Sequence, residues 1–67
     1  MNERINKSLR LKIIERFGTQ ADFAQTMGVD EALVSRVVRR RRTLQEPERA
    51  RWAKALKCKP SEIFQSN

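Results

Sequence analysis

Arg36, Arg39, Arg40, Arg41 and Arg42 crowd into seven consecutive positions, and they are the residues of this chain best equipped for chemistry. A guanidinium is always charged and presents a planar fork of donors that matches phosphate oxygens two at a time. Like charges this close repel one another in a compact state, so a compensating polyanion outside the fold is expected. Two other readings fit the run as composition alone: a solvated, mobile loop without a partner, or a disordered RNA-binding or targeting segment. Covalent chemistry finds little support. The chain has no histidine, no nucleophile paired with a base and no Gly-rich phosphate loop, so an enzyme is not expected. Cys58 is the single cysteine; it cannot close an internal disulfide, and without histidine a zinc cage is not expected. It reads as a small buried hydrophobe, with only Lys57 and Lys59 nearby to favour a thiolate. No cofactor or metal is expected.

The rest of the composition narrows the partner. Sixty-seven residues make one domain, 1–67. A chain of about 60 residues buries only about 60% of the surface it exposes when unfolded, too little for a deep catalytic pocket above a core. The net charge is +7. Positions 1–35 hold five basic and five acidic groups, whereas positions 36–67 hold ten basic groups and three acids and carry the whole excess. Such a charge, with a pI near 10.8, favours nucleic acid or an anionic membrane. No apolar run approaches the roughly 20 residues that cross a bilayer. Charges at Glu3, Arg4, Lys7 and Arg10 leave no apolar stretch for a signal peptide. A reducing, cytoplasmic setting and no membrane partner are therefore expected.

The elements that must position the arginines are helices. No alternating β-branched run and no Asn-Gly or Asp-Gly hairpin turn occurs. A first helix is predicted over 7–17, with Leu9, Ile13, Ile14 and Phe17 on its inner stripe and Leu11 off it, ended by Gly18. Thr19 followed by Asp22 predicts a capping box for a second helix, Gln20 to Met27, whose inner side carries Phe23, Ala24 and Met27. Gly28 interrupts it, and Asp30 is the expected N-cap of a third helix. In that helix Leu33, Val34, Val37 and Val38 fall within about 140° of one another, a core-facing stripe. Ala32, Ser35, Arg36 and Arg39 share the opposite side. A generic solvated face alternates Glu and Lys; this one is small, polar and basic. Pro47 predicts the first turn of a fourth helix running to about Lys57 and burying Trp52, Ala53 and Leu56. Trp52 is read as core rather than a base-stacking platform. Pro60 opens a last short helix, with Ile63 and Phe64 closing the core. Residues 1–6 and 65–67 are expected to be flexible ends.

A short helix, a glycine-centred turn and a second helix with an apolar inner face have the form of a helix-turn-helix. The stretch Gln20-Ala-Asp-Phe-Ala-Gln-Thr-Met-Gly-Val-Asp-Glu-Ala-Leu-Val-Ser-Arg-Val-Val-Arg39 resembles the Cro and phage-repressor type (XRE-like) of helix-turn-helix regulators. Ala24 matches the small residue where the two helices touch, Gly28 the turn glycine, and Val29, Val34 and Val37 the buried aliphatics. Downstream, Trp52-Ala-Lys-Ala-Leu56 and Pro60-Ser-Glu-Ile-Phe64 look like that family's fourth and fifth helices, so the resemblance covers roughly 9–64. It implies an all-α, compact five-helix lambda-repressor-like DNA-binding domain with a central helix-turn-helix over about 20–39. Three departures stand out. Arg40 or Arg41 stands where the family usually has a glycine after the recognition helix, so that helix is free to run on by a turn. Arg49 stands where a leucine is usual, leaving Leu44 to fill that part of the core. Lys57 stands where a C-cap glycine is common.

The resemblance also implies roles. Glu31, Ala32 and Arg36 match positions that face base edges: glutamate accepts from cytosine N4, alanine meets a thymine methyl, and arginine takes guanine O6 and N7 together. Each has a plainer alternative, helix-dipole support for Glu31 and a phosphate contact for Arg36. Ser35 reaches either a base, a phosphate or only solvent. Gln20 resembles a phosphate-binding helix start, or is an ordinary exposed glutamine. Thr19 is a cap first and a phosphate ligand second. Arg39, Arg40, Arg41 and Arg42 are expected to grip the sugar-phosphate backbone, with one of them able to enter a narrow minor groove.

The function implied is a sequence-specific double-stranded DNA-binding transcriptional regulator, bacterial or phage-encoded and nucleoid-associated, repressing by operator occupancy. One recognition helix contacts few base pairs, so a homodimer on a palindromic operator is expected, with half-sites about 34 Å apart. The fifth helix and tail are the expected dimer surface. With no residues left over for a sensing domain, no small-molecule effector is expected. The alternative is a protein-interaction module, antitoxin-like or a regulatory partner, on the same fold. RNA binding is disfavoured because the exposed faces lack aromatic stacking platforms.

Overall fold

In a computed structural model that describes residues 5–64, every regular element is a helix. The first, α1 (Lys7–Phe17), begins at Asn6, whose side-chain oxygen accepts from the Leu9 N–H at 3.1 Å as an N-cap. It ends at Gly18, which takes φ +90° and donates its N–H to the Ile14 carbonyl at 3.0 Å. Thr19 caps α2 (Gln20–Met27) through its Oγ1, which accepts from the Asp22 N–H at 3.1 Å. Only this half of the expected capping box forms. Three residues, Gly28, Val29 and Asp30, lead into α3 (Glu31–Val38); Asp30 occupies the N-cap position without a side-chain bond. Then come α4 (Glu48–Ala55) and the single turn α5 (Pro60–Ile63), where the Glu62 carboxylate accepts from the Lys59 N–H at 3.3 Å.

Five sequence expectations need correction. Pro47 lies at the N-cap of α4 rather than in its first turn, and α4 stops at Ala55, short of Lys57. Ile14, expected on the inner stripe of α1, is exposed, like Leu11; Leu9 and Ile13 are buried on that face, with half-buried Phe17 packed beside them. Asn6, expected within a flexible end, is buried and held. Its N–H donates to the Val38 carbonyl at 2.7 Å and its Nδ2 to the Ile63 carbonyl, so one residue fastens the start of α1 to the ends of α3 and α5. The expectation for 1–4 and 65–67 lies outside the described residues. Finally, α3 does not run on by a turn. It ends at Val38.

The way α3 ends is shared by its neighbours. After α2 the Val29 N–H reaches back to the Ala24 carbonyl at 3.0 Å and the Gly28 N–H to Gln25 at 3.2 Å. After α3 the Arg41 N–H reaches Arg36 at 2.8 Å and the Arg40 N–H reaches Val37 at 3.0 Å; after α4 the pairs are Cys58 to Ala53 at 3.0 Å and Lys57 to Lys54 at 3.1 Å. These are three Schellman motifs, each needing one residue in left-handed conformation to satisfy the orphan carbonyls of a helix end. Gly28 supplies it at φ +73° without penalty, whereas Arg40 at +62° and Lys57 at +56° carry a Cβ into it.

The core gathers the inner faces. Helix α1 packs on α2, α3 and α5, α2 packs on α3, and α4 on α5. Leu9, Ile13, Phe23, Val34, Trp52, Leu56 and Ile63 are fully buried. An aromatic chain ties the elements together: Phe17 and Phe23 are 5.2 Å apart, Phe23 and Trp52 5.0 Å, and Trp52 and Phe64 6.3 Å, the first two pairs edge to face. Leu44, from the α3–α4 connection, does fill the core beside the position that Arg49 leaves vacant of apolar bulk. The radius of gyration is 10.8 Å, close to the roughly 10 Å of a compact chain of about 60 residues. No helix among the described residues is long and apolar enough to cross a membrane.

Candidate nucleic-acid interface

What fixes the outward face of α3 is its inward one. Val34, Val37 and Val38 are buried and Leu33 is half-buried, which turns Glu31, Ala32, Arg36 and Arg39 to solvent with Ser35 half-exposed beside them. Ala32 and Ser35 give this face low relief, so another surface can approach the helix closely. Glu31 lies in the first turn and Arg36 in the last, where the carboxylate and the guanidinium each complement the helix dipole. The five residues thus share one accessible face.

The Schellman turn then folds the arginine run back on the helix. The amides of Arg41 and Arg42 both donate to the Arg36 carbonyl, at 2.8 and 3.3 Å. In this motif the residue two past the cap commonly packs an apolar side chain against the last turn. Here both partners, Arg41 and Arg36, are arginines, so the contact is replaced by a concentration of charge. Arg39, Arg40, Arg41 and Arg42 are all exposed. The only ion pair among the described residues lies elsewhere, between Arg51 Nη1 and Glu48 Oε2 at 4.0 Å. The backbone of the run is hydrogen-bonded, and its charge meets no ion-pair partner among the described residues.

Thr19 and Gln20 stand at the other end of the candidate set. Thr19 is exposed; its Oγ1 is engaged by the Asp22 N–H, leaving its hydrogen for an outside acceptor. Gln20 is half-exposed at the first position of α2. The packing of α2 on α3 links this end to the arginine face, but no hydrogen bond joins the two groups among the described residues.

Sequence reasoning missed two features. Arg49 was read only as a gap in the core. Its Nε donates to the Leu44 carbonyl at 3.0 Å and its guanidinium lies 5.6 Å from the Phe64 ring centre, so it is aimed rather than loose. With Arg40, Arg42 and Thr43 it lines a surface cavity of about 120 Å³. An arginine where helical periodicity asks for an apolar residue was the available signal. Asn6, at the floor of the same cavity, was missed because its partners Val38 and Ile63 are distant in sequence. Cys58 is half-buried. Burial, and then Glu62, push its thiol above the usual range while Lys12 and Arg16 pull weakly the other way, which suits a neutral packing residue. Compared with protein-family models, curated proteins and solved structures, the chain matches none.

Proposed function

We propose that this chain is a sequence-specific double-stranded DNA-binding regulator of the Cro and phage-repressor type, in which α2 and α3 act as a helix-turn-helix. The observation that carries the reading is the exposed, low-relief face of α3 running without interruption into an ordered turn of uncompensated arginines. A major groove about 12 Å wide admits one helix with such a face. In that pose Glu31, Ala32, Ser35 and Arg36 meet base edges. Arg39, Arg40, Arg41 and Arg42 hold the flanking phosphates, Thr19 and Gln20 hold the phosphate at the α2 start, and α2 keeps α3 in register. Operator occupancy by a homodimer, with half-sites about 34 Å apart, gives repression by exclusion of polymerase. Selection of bound sequences from a random DNA pool tests this: a dyad-symmetric consensus is expected, and a pool with no enriched sequence overturns the reading.

A second reading, a protein-interaction module, is favoured by one observation. On α1, Leu11 is 61% and Ile14 44% exposed, forming an apolar stripe beside Lys7 and Arg10. On that reading the DNA selection yields no consensus, and replacing Leu11 and Ile14 by Ser abolishes partner binding.

A further inference from the structure

We propose that the cavity between the α3–α4 connection and α4 is an oxyanion site that takes one phosphate group. Among the described residues, Arg40, Arg42 and Thr43 line it from the α3–α4 connection and Arg49 from α4, and no carboxylate does. Three guanidiniums around one small cavity repel one another, and an anion seated among them turns that repulsion into charge-assisted hydrogen bonds. The volume, about 120 Å³, is several times the roughly 30 Å³ share of a water molecule, enough for a tetrahedral oxyanion.

Two details distinguish this cavity from a chance gathering of surface arginines. Arg49 is positioned before any ligand arrives, by the Leu44 carbonyl and the Phe64 ring. Arg40 sits at φ +62°, a conformation that glycine adopts freely and arginine does not. A Schellman turn needs no side chain at that position, and the arginine that stands there is one of the residues lining the cavity. The phosphate group has two possible sources, a free phosphate or the DNA backbone; only the second rests on the function proposed above.

The test separates them. Inorganic phosphate is titrated into the DNA-free full-length protein at constant ionic strength, with chloride as control, while the Arg40, Arg42 and Thr43 amides and the Arg49 Nε–H are followed by NMR. Saturable shifts confined to these groups support the site with a free anion. In parallel, the salt dependence of DNA binding is compared between the wild type and Arg49→Gln. A slope reduced by about one phosphate contact supports the site with a backbone phosphate. Arg40→Gly guards against a folding artefact, because it relieves strain while removing one guanidinium. Its phosphate affinity, or its DNA affinity if only the second arm responds, should fall about tenfold with the fold intact. If phosphate moves none of these groups and Arg49→Gln leaves DNA binding unaltered or DNA does not bind at all, the site is overturned. Saturable phosphate shifts in a protein that does not bind DNA would overturn the DNA reading and leave the oxyanion site standing.

Discussion

Lys57 and Asn6 are the two positions where one side chain decides most about the backbone. Lys57 holds left-handed φ at +56° with its side chain exposed, touching no acid among the described residues. A left-handed L-residue costs roughly 1–2 kcal/mol, and glycine returns part of its advantage as unfolded-state entropy. Lys57→Gly should therefore raise stability by about 1 kcal/mol, read as a midpoint about 4–8 °C higher in thermal denaturation. Asn6 works in the opposite direction. Asn6→Ala loses an N-cap and leaves the Ile63 carbonyl without its donor, a loss of about 2–3 kcal/mol in urea unfolding. Asn6→Asp keeps the cap acceptor but not the donor, and should fall between the two. An aspartate variant as stable as the wild type would show that the Ile63 bond contributes nothing. Neither role follows from spacing alone. Glycine preference explains why a C-cap glycine is common, but that lysine would accept the same φ depends on where Cys58 must go to be packed.

At the scale of elements, α3 separates the fold from the proposed recognition most cleanly. Its inner valines are committed to the core, so exposed residues on its outer face can change with little effect on stability, within about 0.5 kcal/mol. Arg36→Ala should leave thermal unfolding nearly unchanged while DNA affinity at the preferred sequence falls by about 1–3 kcal/mol and discrimination at one base position relaxes. Competition binding against single-base variants of the selected consensus reads both effects. Equal losses on every sequence would reassign Arg36 to a phosphate. The five helices were legible in the sequence because each inner stripe has helical period and most boundaries carry Thr, Asp, Gly or Pro. The misplaced helix bounds came at α4, where proline's missing N–H is as harmless at the N-cap as in the first turn. The early stop there is made by main-chain bonds to Ala53 and Lys54, which periodicity does not report.

For the whole molecule the charge asymmetry becomes a property of binding. On the proposed function, with Arg39 and Arg41 each on one phosphate and Arg40, Arg42 and Arg49 sharing a third, the logarithm of affinity should fall against the logarithm of salt with a slope of about −2.7 per protomer, about −0.9 for each phosphate neutralised. A shallow slope with no sequence preference would count against the proposed interface. The candidate site was legible as a basic face opposite a valine stripe. Its continuation into a folded-back turn and a cavity was not, because those depend on contacts between α1, the α3–α4 connection and Phe64. The Schellman stop after α3 also has an evolutionary reading. Its bonds come from main-chain groups, so, position 40 with its left-handed φ apart, the path of the chain through positions 39–42 is largely indifferent to which side chains stand there. Related chains could exchange these residues to change how tightly they hold a polyanion, without redrawing the architecture that presents them.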